Sequence, residues 1–251
     1  MTSPLTVSRE GNLARIQMDD GRGNALSTTM LQELGRAARE VVDADAVLLS
    51  GRPRVFCGGL DLAEVVPMPR QALLEFMYLF HDTFRALLAL ERPLVIQAAG
   101  SAVAGGAVLL CCGDLRLGAQ DSGVVGANEA QLGIPFPVTA FEAVRAALDP
   151  LQASRALLFG ELVDKGEALA RGYFHELVAP TDLEETALAR ARQAALIPSS
   201  ASAPIKRDLR RETLRRVDEQ RVTSTEAWVD VWIAPTAQAR LQKVLAGLKK
   251  K

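Results

Sequence analysis

The sequence predicts an α/β fold built from stacked β-β-α turns. Short apolar segments with strand patterning alternate with longer segments of helical periodicity along the chain. The order of strand, turn and helix recurs, which favours stacked turns over a doubly wound sheet. Hydrophobic residues make up 49% of the 251 residues, so the chain can bury the core of one large domain.

The first half of the chain contains a predicted hairpin, buried strands and three helices. Ser27 is placed to cap the first helix, and Pro93 is placed to end the long second helix. The segments 53–59 and 100–104 are predicted as a loop and a turn. The predicted strands are 5–8, 13–18, 46–50, 94–98 and 114–117, and the predicted helices are 27–42, 70–90 and 105–112.

Helices dominate the second half of the chain. The predicted helices are 137–148, 150–159, 166–171, 182–196 and 236–248, with a short strand at 175–178. From Pro204 the composition shifts to a charged segment, which lies on a helix that ends near Trp232. We therefore predict a core of residues 1–200 and a helical appendage of residues 201–251.

Charge and composition argue against several classes of function. Charged residues make up 24% and the net charge is −1, which disfavours nucleic acid or an anionic membrane as the main partner. No apolar run reaches the roughly 18 residues needed to cross a bilayer. Three cysteines give no disulfide framework, and two distant histidines give little support to a zinc site or a Ser-His triad. No metal site is predicted.

The chain ends carry no recognised targeting signal. The segment 1–10 lacks the apolar core of a signal peptide and the arginine-rich helix of a transit peptide. The residues 249–251 are lysines and are not a peroxisomal address. Together with cysteines that suit a reduced compartment, these features predict a cytoplasmic protein.

Three short motifs carry the candidate chemistry. Two are small-residue turns, 57–61 and 104–106, whose glycines let the backbone approach a ligand and aim N–H groups at an oxygen. The third, 126–135, places Glu129 among apolar residues, where a carboxylate has a raised pKa and can act as a base. Such parts can remove a proton beside a carbonyl. From the residues alone, close helix packing at Gly105 and a solvated loop position for Glu129 remain alternatives.

At these motifs the chain resembles the crotonase superfamily, also called enoyl-CoA hydratase/isomerase. The resemblance covers nearly the whole chain, and its segments occur in the family's order and spacing. These segments are 55–62, 93–114 and 126–135. Within the superfamily, the pieces 59–62, 104–106 and 128–134 look most like the Δ3,Δ2-enoyl-CoA isomerases. The resemblance implies a crotonase-like spiral of β-β-α turns with C-terminal helices that build trimers, sometimes paired into hexamers.

The resemblance also implies a role for each motif. The backbone N–H groups of Leu60 and Gly105 would form an oxyanion hole, and the Gly58 carbonyl would lie in the adenine pocket. Glu129 would be the single acid–base group of a 1,3 proton transfer. Val108 stands where hydratases place a second catalytic glutamate, which argues against efficient hydration. The residues expected to contact the substrate are Gly58, Arg22, Leu62, Gly106 and Val108.

The predicted function is isomerisation of a 3-enoyl-CoA to a 2-enoyl-CoA, with coenzyme A as part of the substrate and no separate cofactor. The alternatives are a hydratase-like or other crotonase reaction that uses Glu129 with a further group, and a non-catalytic acyl-CoA binding subunit. A homotrimer or hexamer is expected through the apolar stripes of the C-terminal helices, which need a surface from the core or from another subunit. The stripes contain Trp228, Val231, Trp232, Leu241, Val244, Leu245 and Leu248.

Other polar residues are expected to have structural roles. Glu64, Glu75 and Glu142 are predicted to be solvated helix residues, which is the usual position of a glutamate. His81 is predicted to be a surface or partner contact. Asp61 is predicted to cap the short helix that follows it.

Overall fold

The computed structural model describes residues 3–248; the predictions made for the first two residues and for 249–251 lie outside this range. The strands are β1 (Leu5–Glu10), β2 (Leu13–Met18), β3 (Ala46–Ser50), β4 (Val55–Cys57), β5 (Leu94–Ala98), β6 (Ser101–Val103), β7 (Leu115–Ala119), β8 (Val125–Gly126) and β9 (Glu176–Val178). The helices are α1 (Thr28–Glu40), α2 (Leu62–Val65), α3 (Arg70–Ala89), α4 (Gly105–Cys111), α5 (Glu129–Leu132), α6 (Val138–Ala147), α7 (Pro150–Phe159), α8 (Lys165–Ala170), α9 (Leu183–Ala195), α10 (Ser199–Trp232) and α11 (Pro235–Leu248).

The strands form two sheets that are linked turn by turn. The larger sheet has the order β1-β2-β3-β5-β7-β9, and the smaller sheet has the order β4-β6-β8. Only the β1–β2 hairpin is antiparallel among the described pairs. Each of β3, β5 and β7 lies in the larger sheet, and the strand after it lies in the smaller sheet before the chain enters a helix. This arrangement confirms the predicted spiral of β-β-α turns.

The smaller sheet is the part of the fold that the sequence pattern did not predict. Its strands are two or three residues long, and the segments containing β4 and β6 were predicted as a loop and a turn. Alternation cannot be recognised over so few residues, because a period of two needs at least four positions. These short strands are formed by pairing within the fold, and they carry the turns that build the site.

Two helix starts agree with the capping residues predicted from the sequence. Ser27 accepts a hydrogen bond from the Met30 N–H, as predicted. Asp61 likewise accepts hydrogen bonds from the first turn of α2, which confirms its predicted role as a cap. Helix α1 ends at Glu40, two residues before the predicted end, because Val41 leaves the helical conformation (φ −99°, ψ 11°).

The charged segment after Pro204 lies on α10, a 34-residue helix that packs against α3 and α6. Arg85 and Asp218 form an ion pair between α3 and α10, with Nε and Oδ1 2.5 Å apart. Glu142 on α6 is buried, with an Arg145 nitrogen 2.7 Å from its carboxylate, because α10 covers this part of α6. Its predicted exposure was therefore wrong. The division of the chain near residue 200 stays a prediction.

The apolar stripes of the C-terminal helices are covered in part within the chain. Trp228, Trp232 and Leu241 are each at most 3% exposed, whereas Val231 and Leu248 are 39% and 59% exposed. Helix α11 packs against α2, α5 and α10 and so crosses the region between the site motifs. The sequence left open whether the core or another subunit covers these stripes. For Trp228, Trp232 and Leu241, the core provides the covering surface.

Candidate active site

The first turn of the site follows β4 and lies against the loop before α1. Leu26 N–H donates to Gly59 O (2.8 Å), and Asp61 N–H donates to Leu26 O (3.3 Å). Leu26 and Leu60 form a parallel bridge, in which Leu26 bonds to the two residues on either side of Leu60. The N–H of Leu60 itself therefore points away from Leu26. Leu60 N–H donates to no acceptor within residues 3–248. It is therefore available to a ligand.

Asn24 holds this turn in place, and the sequence analysis did not identify it. It is fully buried and has a positive φ of 49°. Its amide nitrogen donates to Met18 O (3.0 Å) and Phe56 O (3.1 Å), which ties the loop to β2 and β4. Asparagine tolerates positive φ better than most residues, and this property was the available signal.

The second turn, at Ala104 and Gly105, touches the first. A Cβ atom added to Gly59, whose φ is +87°, would lie 3.3 Å from Gly105 N. Ala104 has φ 52° and ψ −125°, a strained conformation for a residue with a side chain. Gly105 is the first residue of α4, so its N–H has no partner inside the helix, and it has no other acceptor among the described residues. Two free N–H groups thus lie on adjoining turns.

Gly106 is a packing position, and we predict that it does not tolerate a side chain. A Cβ atom there would lie 2.0 Å from Cys57 O, which is backbone and cannot rotate away. Gly106→Ala should therefore push α4 from β4 and cost about 3 kcal/mol or more of the free energy of unfolding. Urea unfolding measures this loss. Gly247→Ala is the matched control, because no atom lies within 4 Å there; equal stability of the two variants would contradict the prediction.

The two turns open onto a cavity of about 250 Å³. Its walls come from α2, α3, α5, α6, α10 and α11. Met77, Phe80, Trp228 and Trp232 line it and are at most 3% exposed, whereas the lining residue Leu248 is 59% exposed. The cavity is therefore an apolar pocket that is closed at the first four side chains and open towards the end of α11. Such a shape suits an apolar chain whose polar end stays at the mouth.

Glu129 begins α5 and is the one acidic side chain among the residues that line this cavity. Its Oε2 atom is sealed from solvent and has no hydrogen-bond partner within the part of the chain that the structure describes. Burial raises the pKa of Glu129 to about 7. The neighbouring Asn128 Oδ1 is also buried without a partner. The carboxyl group can therefore both take up and release a proton near neutral pH.

Two further contacts fix the position of α5. Gln131 Nε2 donates to Phe159 O at the end of α7 (3.1 Å). At the other end, Gly133 closes the helix with φ 75°, and Ile134 N–H donates to Glu129 O (3.1 Å). The catalytic candidate thus lies on a short helix that is anchored on both sides.

The structure brings five of the expected site residues together. These are Gly58, Leu60, Leu62, Gly105 and Glu129, which all line the cavity. They come from three separate parts of the chain, which the β-β-α turns place side by side.

Three of the expected substrate contacts lie outside the cavity lining. Gly106 packs on Cys57, as described above, and Val108 is fully buried in the core one turn further along α4. Arg22 is exposed on the loop next to Gly58: the Gly58 N–H donates to the adjacent Gly23 O (2.9 Å). Arg22 is therefore near the mouth and away from the apolar pocket.

The tryptophans of α10 and the pair Met77 and Phe80 of α3 are lining residues that the sequence analysis did not identify. Their helical spacing marked them as apolar residues. Spacing cannot distinguish a residue that packs in the core from one that faces a cavity. The two tryptophan rings stack with their centroids 4.7 Å apart.

Several titratable side chains outside the cavity are wholly or partly buried. His81, predicted at the surface, is 1% exposed, and its Nδ1 lies 2.5 Å from Thr139 Oγ1. Burial lowers the pKa of His81 to about 4. Glu64 accepts from the Thr28 N–H (3.1 Å) and so caps α1. Burial lowers the pKa of Lys165 to about 7, and its Nζ donates to Ala98 O and Gly100 O, directly before β6.

The described part of the chain contains neither a candidate metal cluster nor a candidate membrane span. No group of three or more His, Cys, Asp or Glu side chains within residues 3–248 could hold a metal ion. No helix in the same range is both long and apolar enough to span a membrane.

Comparison with known proteins places the chain among enzymes of one family. A family profile described as enoyl-CoA hydratase/isomerase matches residues 8–248. Human enoyl-CoA delta isomerase 1, mitochondrial, is 29% identical over 231 residues, which cover 90% of this chain and 76% of that protein. The probable enoyl-CoA hydratase echA8 of Mycobacterium leprae is 31% identical over 195 residues, which cover 75% and 73%.

Solved structures agree with these sequence matches. The crystal structure of human mitochondrial delta3-delta2-enoyl-CoA isomerase has a TM-score of 0.94 at 27% identity and covers 98% of both chains. An enoyl-CoA hydratase from Mycobacterium marinum has a TM-score of 0.78 at 30% identity and covers 90% of this chain and 96% of that chain. Both activities therefore occur among the proteins that this chain is similar to.

Proposed function

We propose that this chain, which belongs to the enoyl-CoA hydratase/isomerase family, shifts the double bond of a 3-enoyl-CoA to give the conjugated 2-enoyl-CoA. The observation that carries the proposal is the position of Glu129. It is the single acidic side chain in the lining of a cavity that also contains Leu60 and Gly105. A 1,3 proton shift needs one acid–base group, provided that the group reaches both carbons.

The proposed reaction begins with the thioester oxygen at the two free amides of Leu60 and Gly105. Glu129 removes a proton from C2, and negative charge develops on that oxygen as a dienolate forms. Each preorganised N–H donor aimed at such an oxygen contributes about 3–4 kcal/mol to lowering the barrier. Glu129 then returns the proton to C4, which leaves the double bond between C2 and C3. The carboxylate is regenerated, so no other group has to change its protonation state.

The apolar pocket supports an acyl chain of limited length. A cavity of about 150 Å³ holds the six carbons of benzene, so the 250 Å³ here correspond to roughly ten carbons by the same measure. We propose that coenzyme A remains at the mouth near Gly58 and that it is the only cofactor-like group, as part of the substrate. Arg22 and Arg52, whose Nη1 donates to Arg22 O (2.8 Å), are the proposed phosphate contacts.

Incubation of the purified protein with 3-enoyl-CoA thioesters of increasing chain length tests this function. Chromatography of the products should show the 2-enoyl-CoA, with rates that fall beyond about ten carbons. Failure to form a 2-enoyl thioester from any of them would leave the hydratase-like reaction or a non-catalytic acyl-CoA binding role. Incubation with a 2-enoyl-CoA separates these outcomes, because a hydratase forms the 3-hydroxyacyl-CoA and a binding subunit leaves the thioester unchanged.

A second candidate, hydration of a 2-enoyl-CoA, has support from the relatives described as hydratases. Hydration requires one group to activate a water molecule while another delivers a proton to the acyl chain. Two carboxylates perform these two tasks best. The described residues that line the cavity offer one carboxylate. By the family resemblance, Val108 stands at the position where hydratases place the second. The lining therefore favours isomerisation.

The pH dependence of isomerisation should follow the ionisation of Glu129. The base must be a carboxylate, and burial raises its pKa to about 7, so kcat/KM should rise with pH through about 7 and then level off. Below this pH the protonated acid predominates and cannot accept the C2 proton. Initial rates from pH 5 to 9 measure the profile. A rising limb whose pKa shifts strongly with temperature would contradict the assignment, because nitrogen bases such as Lys165 behave in that way and carboxyl groups do not.

We propose that the protein is a homo-oligomer and that α7 contributes to its contact surface. The C-terminal stripes leave Val231 and Leu248 exposed (39% and 59%), and α7 also exposes large apolar side chains. Leu151, Leu158 and Phe159 are 76%, 73% and 63% exposed. Sedimentation tests the assembly, and Leu158→Glu tests the surface. The cytoplasmic location stays a prediction, because the human relative is described as mitochondrial.

A further inference from the structure

A buried lysine contacts the strands that lead to the two halves of the site. Lys165 begins α8 and is 2% exposed. Its Nζ donates to Ala98 O (2.9 Å) and to Gly100 O (2.8 Å), and it lies 4.5 Å from the centroid of the Phe174 ring. A buried amino group costs free energy unless it is hydrogen-bonded, so these two carbonyl groups account for its position.

The two carbonyl groups lie at the bend where the chain passes from the larger sheet to the smaller one. Ala98 is the last residue of β5, and β6 begins at Ser101. Gly100 O accepts from no backbone N–H group within residues 3–248, so Lys165 is its donor. Gly100 is also packed tightly, since a Cβ atom there would lie 2.0 Å from the Arg54 carbonyl carbon, just before β4. Lys165 therefore fixes the point at which β6 starts.

Strand β6 is the middle strand of the smaller sheet, between β4 and β8. The chain leads from β4 to Leu60, from β6 to Gly105 and from β8 to Glu129. Because β6 is only three residues long, a displacement at its start is carried to its end. Such a displacement would move Gly105 relative to the other two residues.

The segment 163–165 also holds the strand that leads to Glu129. The N–H of Val163 donates to Val125 O, and the N–H of Val125 donates to Val163 O, both at 2.9 Å. This segment thus contacts β8 through its backbone and the start of β6 through the Lys165 side chain. It links the strand before the base to the strand before one oxyanion donor.

We infer that Lys165 is a positioning residue, which holds the start of β6 and so sets the position of the Gly105 N–H relative to Glu129. This inference rests on the proposed function, since it assigns Lys165 to stabilisation of the charge that develops during proton transfer. Lys165 is not among the residues that line the cavity, so it does not touch the substrate. Burial lowers the pKa of Lys165 to about 7, but the neutral amino group keeps two N–H donors, enough for both carbonyl groups.

Lys165→Met tests the inference, because methionine has a similar length and no N–H donor. A displacement of about 1 Å can cost on the order of 100-fold in rate, so kcat for isomerisation should fall about 10- to 100-fold while KM changes less than about threefold. Lys206→Met is the matched control. Lys206 is also buried, and its Nζ meets Arg92 O (2.7 Å) and Asp114 Oδ2 (2.5 Å), before the starts of β5 and β7. This control should lose stability but keep the kcat of the wild type.

The infrared band of the thioester carbonyl group distinguishes positioning from a general loss of stability. Hydrogen bonds to a carbonyl oxygen lower its stretching frequency, so a bound 2-enoyl-CoA with an isotopic label at the carbonyl carbon reports on the donors of Leu60 and Gly105. The wild type should shift this band to lower frequency. The shift should be smaller in Lys165→Met and unchanged in Lys206→Met.

The possible outcomes separate the inference from the proposed function. An active wild type together with a Lys165→Met variant that keeps its kcat, or that loses kcat with an unchanged carbonyl band, overturns the inference alone. A wild type that isomerises no 3-enoyl-CoA overturns both. If Lys165→Met does not fold, Lys165→Gln is the second variant, since its side chain keeps N–H donors but is one atom shorter. A several-fold loss of kcat with a smaller carbonyl shift is then expected, and an unchanged kcat overturns the inference.

Discussion

Glu129→Gln is expected to lower the isomerisation of a 3-enoyl-CoA by about 100- to 10,000-fold, the range that general acid–base catalysis supplies. Glutamine has nearly the same shape but cannot accept a proton at neutral pH. No other acidic side chain lines the cavity within the described residues, so no replacement base is at hand. Single-turnover rates with excess enzyme measure the chemical step without interference from product release.

Binding of the acyl-CoA should survive this substitution. The proposed oxyanion donors are backbone amides of Leu60 and Gly105, and the pocket is apolar, so neither depends on the carboxylate. Calorimetry should therefore give similar Kd values for the variant and the wild type. Glu75→Gln is the matched control, since Glu75 is exposed on α3 and accepts from Gln71 Nε2. Full activity of Glu129→Gln would show that another group removes the proton.

The same variant should be more stable than the wild type above neutral pH. The pKa of Glu129 is raised in the folded protein, so its ionisation opposes folding, and the opposition grows as pH rises from the unfolded pKa towards about 7. Glutamine removes that penalty at pH 8 but has little effect at pH 4, where both states are protonated. Thermal unfolding at the two pH values measures the difference. A variant that is less stable at pH 8 than the wild type would indicate that the carboxylate has an unrecognised partner.

The sequence allowed the larger elements of the fold to be predicted because their patterns are long enough to recognise. Most strands of the larger sheet and the helices α1 and α3 are long enough to show their apolar spacing, and Ser27 marks the start of α1. The strands β4, β6 and β8 contain no such pattern, since their pairing depends on residues brought together from three parts of the chain. A local pattern cannot report a contact that arises only in the folded chain.

The candidate site was also predictable only where its features are local in the sequence. The glycine turns and Glu129 could be proposed from composition and spacing, because glycine at close backbone contacts and a carboxylate among apolar residues are local features. The closed end of the cavity could not be predicted in this way. Trp228 and Phe80 lie far apart in the chain and meet only when α10 packs on α3. Exposure of Glu142 and His81 was also mispredicted, since α6 and α10 cover side chains that local sequence would leave in water.

Hydration of a 2-enoyl-CoA by the wild type should be at least about 100-fold slower than isomerisation of the matching 3-enoyl-CoA. The family includes proteins described as hydratases and as isomerases, so membership alone does not decide between the reactions. The expectation rests on the number of carboxylates among the described residues that line the cavity, which is one. Both reactions can be followed on the same preparation by separating the 2-enoyl and 3-hydroxyacyl products. Hydration as fast as isomerisation would mean that a group other than a second carboxylate activates water.

Val108→Glu tests whether the missing carboxylate accounts for this difference. Val108 lies three residues after Gly105 on α4, so both residues occupy one face of the helix. Hydration should therefore rise measurably above the wild type. The cost should be large, because Val108 is fully buried and a carboxylate there loses its hydration; a loss of several kcal/mol in the free energy of unfolding is expected.

Val108→Gln separates the two effects of that substitution. It introduces the same bulk at the same buried position, but it carries no charge and cannot transfer a proton. It should lose less stability than Val108→Glu and should gain no hydration. If both variants gain hydration equally, access of water to a disturbed cavity is the cause. If only the glutamate variant gains it, then the side chain at position 108 decides whether this cavity, with Glu129 as its base, moves a proton along the acyl chain or adds water to it.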